Sequence, residues 1–280
     1  MKIEKLTMAA IAAALGTSLA ATPASADSQL PPGISTGIPM GAPLPEGVYF
    51  VPISFYGNRT STPEVSVGGV APWVIWSTPW TIGGGRLIID TVTPYVDVKV
   101  KGTPVHLHDW SNTNLTAALK WNLGGGLFGG FAGGVYFPTR SDTGHDWAAF
   151  QGHAALSYLA DGWNISGTAI YGTGHSTGID RKPDWVNLDL TATKKFDKFE
   201  FGAVAFASAD LNDPIGTGRQ SQIALGGLIG YDFGPVNAQF KLTTDVQQKN
   251  YGGNDTRGWL TLTVPLWNPK PEAKPVVAKF

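Results

Sequence analysis

The chain has 280 residues, with 20 Lys and Arg against 21 Asp and Glu, a formal net charge of -1 and no basic block. This excludes an electrostatic footprint for nucleic acid. With no cysteine it can form no disulfide framework, thiol nucleophile or cysteine-based zinc site. Charged residues are 15% of the chain, while Gly numbers 36 and Trp 10; ordinary soluble domains carry ~25% charge and ~7% Gly, so an ordinary soluble enzyme is a poor fit.

Lys2 and Lys5 precede an apolar run from Met8 to Leu19, and Ala24-Ser25-Ala26 supplies a small-x-small cleavage site. This is the three-part plan of a secretory signal. The run is shorter than the ~20 residues of a membrane-spanning helix. Residues 1–26 are therefore expected to be removed, leaving Asp27 as the mature start. Residues 27–46 are rich in Pro, Gly and Ser without periodicity. They read as an irregular, disordered leader on the periplasmic side.

From 47 to 267 the pattern becomes apolar–polar alternation with period two, the mark of strands whose faces meet different environments. Twelve segments carry it: 47–57, 69–78, 87–100, 114–123, 127–137, 148–159, 163–172, 186–194, 198–208, 220–233, 236–249 and 259–266. The clearest is 236–249. Val236, Ala238, Phe240, Leu242, Thr244 and Val246 share one face, and Asn237, Gln239, Lys241, Thr243, Asp245 and Gln247 the other. The third segment changes parity near Asp90 and contains Pro94, which predicts a bulge or two short pieces. Residues 268–280 form a Pro-rich tail.

Connections alternate in length. Short ones fall near 83–85, 124–126, 161–162, 197–198 and 234–235. Long polar ones fall at 58–68, 101–113, 138–147, 173–185, 209–219 and 250–257. An even strand count with short turns at one end and long loops at the other is the plan of an outer-membrane barrel. A soluble sandwich has no reason to alternate its loops this way. Most segments reach the ~9–11 residues of a tilted spanning strand. Trp80, Tyr95, Trp110, Trp147, Tyr171, Trp185, Tyr251 and Trp267 lie near strand ends and suit interfacial belts.

The segments EGVYFVPISFYGN (46–58), GGVYFPTRSDTGHDW (133–147), the stretch 210–253 and WLTLTVPLW (259–267) resemble the outer-membrane transporter family called "putative MetA-pathway of phenol degradation". The resemblance spans the mature chain as a loose pattern. It implies a closed outer-membrane barrel tied to movement of small, often aromatic or otherwise apolar compounds. It carries over no site residue. The tail departs from the habit of ending a barrel on its last strand, so either Trp267 or Phe280 is the terminal aromatic for the insertion machinery.

Motifs with catalytic associations lack their contexts. Gly174-His175-Ser176-Thr177-Gly178 fits G-x-S-x-G, but it lies in a predicted loop with no helix after it, and His175 is badly placed as a base. Residues 33–37 match the same pattern within the leader. Residues 124–129 fit G-x-G-x-x-G but are flanked by strands, as a tight turn would be. His106, His108 and Asp109, with His145, Asp146 and His175, match no metal-ligand spacing. Asp210, Asn212 and Asp213 fall short of a calcium loop. No catalytic, cofactor or metal residue is assigned.

Parity puts Asp97, Lys99, Lys120, Asp189, Glu200, Lys241 and Asp245 toward the lumen, as solute contacts or as bracing ion pairs. In the early strands it points Phe50, Tyr56, Val74 and Trp76 inward, with Phe128 and Tyr136 on the fifth. The expected lumen has one apolar and one polar wall, suited to a small amphipathic aromatic solute. The reading is an all-β protein: a closed antiparallel transmembrane barrel of about twelve strands over 47–267. Its partners are outer-membrane lipid, a small-molecule solute and the barrel-insertion machinery, with no nucleic acid and no cofactor. It reads as a channel or transporter. The alternatives are an outer-membrane enzyme using Ser176 or a loop histidine, and a surface barrel that binds a partner without transport.

Overall fold

The computed structural model describes residues 29–178 and 180–269. The expected signal segment and nearly all of the Pro-rich tail, including Phe280, lie outside the described residues.

The strands are β1 (Gly47–Arg59), β2 (Val65–Ile82), β3 (Gly85–Val92), β4 (Tyr95–Val100), β5 (His106–Trp110), β6 (Asn114–Gly124), β7 (Leu127–Tyr136), β8 (Ala149–Ala160), β9 (Trp163–Gly172), β10 (Trp185–Phe196), β11 (Phe199–Asp210), β12 (Ser221–Asp232), β13 (Asn237–Lys249) and β14 (Asp255–Trp267). All are antiparallel to their neighbours, and β1 pairs with both β2 and β14, which closes the sheet. Closure removes the unpaired edges that hydrocarbon could not solvate. The closed wall has twelve strands, and β4 and β5 are additional.

The extra pair has a simple origin. β2 is 18 residues long. Its Val74–Ile82 half pairs with β3 and its Val65–Val70 half pairs with β4. The chain thus climbs past β2 in two pieces, parted at Thr93-Pro94, where proline offers no N–H to the ladder. The parity change at Asp90 and Pro94 marked this break. The descending chain breaks at the same height: Ser111 N–H donates to Pro94 O at 2.7 Å, and the Thr93 and Thr113 hydroxyls are 2.8 Å apart. The expected loop 101–113 therefore contains strand β5, which corrects that assignment. The expected loop 58–68 is shorter too, because β1 runs to Arg59 and β2 starts at Val65.

Short turns collect at one end. Asp161-Gly162 (φ 51° and 78°) and Gly83-Gly84 (φ 56° and 78°) are two-residue hairpins with both central residues left-handed, the geometry that matches strand twist. Longer connections collect at the other end. The outer face carries a band of exposed apolar side chains, among them Leu115, Phe131, Leu156, Leu190, Leu225 and Leu242. Water would not tolerate such a patch, whereas lipid covers it. Aromatics rim the band: Trp80, Trp163, Phe196 and Trp267 at the short-turn end, and Tyr56, Trp110, Phe150 and Tyr171 at the long-loop end. Trp147, Trp185 and Tyr251, expected in these belts, are instead buried.

The lumen is filled, and the leader fills it. Residues 31–44 make successive turns, with Ile34 N–H donating to Pro31 O at 3.2 Å and Ile38 N–H to Ser35 O at 3.0 Å. Ile34, Ser35, Thr36, Met40 and Ala42 are all buried. The leader is therefore neither periplasmic nor disordered across its described part; it is a plug. The apolar cluster that includes Ile53, Phe55, Ala71, Ile75 and Ile88 takes in Ile34, with Leu30, Ile38 and Leu44 packed against it.

Candidate functional site

The plug is bound by the polar wall of the later strands. Lys241 is fully buried. Its ammonium donates to Thr36 O at 2.6 Å and Thr36 Oγ1 at 3.0 Å, and reaches Gly33 O at 3.3 Å and Ile34 O at 3.4 Å. Asp189, also buried, grips the opposite polarity of the same turn: it accepts from Gly33 N–H and Ser35 N–H, each at 3.0 Å, and from Ser35 Oγ at 2.6 Å. A cation on carbonyls and a carboxylate on N–H groups together satisfy a turn that has no sheet or helix partners. Thr191 Oγ1 accepts from Gly37 N–H at 2.8 Å, and Gln239 and Asn164 donate to Gly37 O at 3.2 and 3.1 Å. Ser157 Oγ accepts from Gly41 N–H, and Ser77 Oγ donates to Leu44 O.

The glycines of 33–37 have a structural use here. Gly33 and Gly37 sit at φ 84° and 87°. A Cβ at Gly33 would lie 2.4 Å from the Phe206 ring, and one at Gly37 would lie 2.7 Å from Gln239 Oε1. Ser176, in the other G-x-S-x-G match, lies on an exposed loop between β9 and β10 with no helix following.

Beside the plug is a cavity of about 50 Å³, lined by Trp73, Asp90, Asn114, Gln151 and His153 from the barrel and by Leu30, Ile34 and Met40 from the leader. The Trp73 indole N–H donates to Asp90 at 2.8 Å, and Tyr136 Oη donates to Gln151 at 2.7 Å. The space admits a few waters but not an aromatic ring: an engineered cavity that takes benzene is ~150 Å³. A ring can enter only where the leader's apolar side chains give way.

The residues expected in the lumen separate into three groups. Lys241 and Asp189 hold the plug. Glu200 accepts from Gln239 Nε2 at 2.9 Å and from Thr193 Oγ1, and Asp245 accepts from Asp255 N–H at 2.9 Å. Lys120 and Tyr136 share the inward parity of buried Ala118 and Thr116. Phe50 and Trp76, by contrast, point to lipid: on β1 the buried face is Tyr49, Val51, Ile53 and Phe55, and on β2 it is Ala71, Ile75 and Ser77. Tyr56 and Val74 follow them outward. Asp97 and Lys99 also leave the lumen, since buried Val98 takes the inward position on β4; Asp97 instead pairs with His106 at 2.8 Å on the outer face of the β4–β5 hairpin. An apolar wall exists, but Tyr49, Ile53, Phe55 and Trp73 build it.

Other residues of the site were not singled out from sequence. Arg59 and Arg257 are buried near the long-loop end. Arg257 donates to Asp255 at 2.6 Å and lies between the Phe55 and Trp259 rings, 5.5 and 5.2 Å from their centres. Asp255 and Arg257 fell within a predicted loop; their alternation with Trp259 was the available signal.

At the long-loop end, Trp147 is stacked between His145 and His175, at 5.0 and 5.1 Å. Asp180 Oδ2 lies 2.7 Å from His145 Nδ1 and accepts from Trp147 Nε1 at 2.9 Å. Burial alone would raise the Asp180 carboxyl, but the His145 ring, these hydrogen bonds and Lys182 hold it below its ordinary value. Asp213 accepts N–H bonds from Gly216, Thr217 and Gly218, which commits its oxygens to its own loop. Among the described residues, no three His, Asp or Glu side chains come together to hold a metal.

A family model described as "Putative MetA-pathway of phenol degradation" matches residues 54–262. The chain belongs to this family. Within the phenol-degradation family's matched span lie the whole polar wall and, from the apolar one, Phe55 and Trp73. The fold is shared with a COG4313 outer membrane channel from Pseudomonas putida F1, at TM-score 0.64 and 14% identity over 79% of this chain and 96% of that one. The translocator domain of the autotransporter NalP from Neisseria meningitidis aligns at TM-score 0.49 and 15% identity, covering 78% of this chain and 87% of that one. The CymD monoaromatic hydrocarbon channel aligns at TM-score 0.49 and 8% identity, covering 79% and 89%. A search of curated proteins returned no match.

Proposed function

We propose that this protein is a gated outer-membrane channel for small aromatic or otherwise apolar solutes, and that it is not an enzyme. The observation that carries this reading is a lumen with one apolar and one polar wall, closed by a leader held through hydrogen bonds rather than through the barrel's own ladder. Such bonds can exchange with water or solute, at a net worth of ~0.5–1.5 kcal/mol each and ~1.5–3 kcal/mol where a charge takes part, and on this reading the closure is reversible. The similar Pseudomonas putida F1 protein is described as an outer membrane channel, which agrees with the reading. In this view residues 1–26 direct export and are removed. The insertion machinery reads a terminal aromatic, Trp267 or Phe280. The short turns and chain ends face the periplasm, and the long loops face outward.

Solute flux through purified protein in liposomes tests the proposal. Small aromatics should pass faster than sugars of similar size, and deletion of residues 29–46 should raise both fluxes. Absence of flux in both proteins would overturn the channel reading. Hydrolysis of simple esters that disappears in Ser176→Ala would mark an enzyme instead.

A further inference from the structure

Near the long-loop end, a contiguous set of buried polar side chains is left with unmatched atoms. Arg59 and Asp255 are directly opposite on β1 and β14. Arg59 Nη1 donates to Tyr251 O at 2.9 Å, and its guanidinium lies 5.2 Å from the centre of the Tyr251 ring. Asp255 N–H donates to Asp245, whose other oxygen accepts from Gln222 Nε2 at 3.4 Å. Arg59, Tyr251, Asp255 and Gln222 are 6%, 2%, 5% and 3% exposed. Yet among the described residues Arg59 Nε, Tyr251 Oη, Asp255 Oδ1 and Gln222 Oε1 have no hydrogen-bond partner.

Buried polar atoms are nearly always paired, and leaving one unpaired costs about 1–3 kcal/mol. Four in one connected cluster at the long-loop end of the lumen point to a ligand. Their chemistry is specific. Arg59 Nε and Tyr251 Oη donate, whereas Asp255 Oδ1 and Gln222 Oε1 accept. Burial raises the Tyr251 phenol well above its ordinary value, so its proton stays on. The formal charges of Arg59 and Arg257 balance those of Asp245 and Asp255. A carboxylate offers acceptors only and would add an unbalanced charge. A bare hydrocarbon offers nothing. A hydroxyl both donates and accepts and is neutral.

We propose that Arg59, Tyr251, Asp255 and Gln222 form a hydroxyl-recognition site that selects neutral hydroxylated solutes as they enter from the long-loop end. Tyr251 is placed there by its loop. Asn250 and Gly252 on either side of it are left-handed, at φ 55° and 80°, and the Tyr251 N–H donates to Gln248 Oε1 at 3.0 Å. The inference rests on the channel reading but has its own readout, because a binding site can be measured without flux.

The experiment compares phenol, cyclohexanol, toluene and benzoate, by equilibrium dialysis with the purified protein and by flux in liposomes. Phenol and cyclohexanol should bind and pass in preference to toluene and benzoate. Tyr251→Phe keeps the ring and removes the unmatched hydroxyl. It should lower the phenol-to-toluene ratio about 3- to 10-fold, the worth of one hydrogen bond, with toluene unchanged. Gln222→Met, which keeps length without the acceptor, should act in the same direction. Equal binding of phenol and toluene by the parent, or an unchanged ratio in both variants, would show that the four atoms only hold water and would overturn the site. Selective binding without flux would support the site and overturn the channel.

Discussion

Lys241 Nζ has all its hydrogen-bonding neighbours on one turn of the leader. Lys241→Met keeps most of the stem and removes these bonds. Hydrogen bonds to a charged group are worth ~1.5–3 kcal/mol, so if the proposed channel is closed by the leader its open fraction should rise about 10- to 100-fold. Single-channel recording would show longer or more frequent openings; unaltered closure would mean that the leader is held elsewhere. Trp76→Ala should leave conductance unchanged, because Trp76 faces lipid, whereas Trp73→Ala enlarges the lumen cavity and should raise it. Leu242 and Thr243 make a second comparison. Leu242 is 54% exposed on the lipid face, where Arg at the midplane costs ~2–4 kcal/mol. Thr243 is buried and its hydroxyl accepts from Trp259 Nε1 at 3.1 Å, so an Arg there meets packed side chains, not water. Both variants should fold poorly in bilayers. Only the Leu242→Arg defect should ease in thinner bilayers, which bring the site nearer the interface, and equal relief of both would refute the assigned faces.

At the scale of elements, the later strands were legible and the early ones were not. On β13 one face is wholly polar, so alternation shows its parity. On β1 and β2 both faces are apolar, with Tyr49, Phe50 and Val51 in succession and Trp73, Val74, Ile75 and Trp76 likewise. One face meets lipid and the other meets the leader's Ile34 and Leu44. Hydropathy cannot separate two dry environments, and for that reason the pattern alone points Phe50 and Trp76 inward. The connections between β7 and β8 and between β9 and β10 form a second unit, clasped by His145, Trp147, His175 and Asp180. The folded Asp180 pKa is lowered, so its contribution to the clasp is present above the ordinary carboxylate value of 3.8 and is lost as pH falls through the depressed folded value. Tryptic cleavage after Arg181 should therefore stay slow at pH values well above 3.8 after brief acid exposure is reversed, and the Trp147 indole N–H signal should shift only below that value. Asp180→Asn should abolish the acid transition; a transition that survives would place its origin in another group.

For the whole molecule, the expected orientation can be read with single cysteines, since the chain has none of its own. Ser176→Cys, on a long loop, should react with an impermeant reagent on intact cells. Lys198→Cys, on a short turn, should react only after the outer membrane is breached. The reverse pattern would invert the orientation.

The sequence by itself determined the architecture of the wall: its twelve strands and the alternation of short turns with long loops follow from local residue pattern, because a spanning strand must cross a fixed thickness of lipid and reverse in few residues. It also determined the polar wall, since Asp189 and Lys241 can be carried into a membrane only on an inward face. The tertiary structure alone decided what fills the barrel. Residues 29–46 have no periodicity, and their conformation depends on partners more than a hundred residues away, such as Asp189 on Ser35 and Ser157 on Gly41. The leader's local hydrogen bonds only form its turns; a segment anchored by distant side chains carries no local signal of where it will lie.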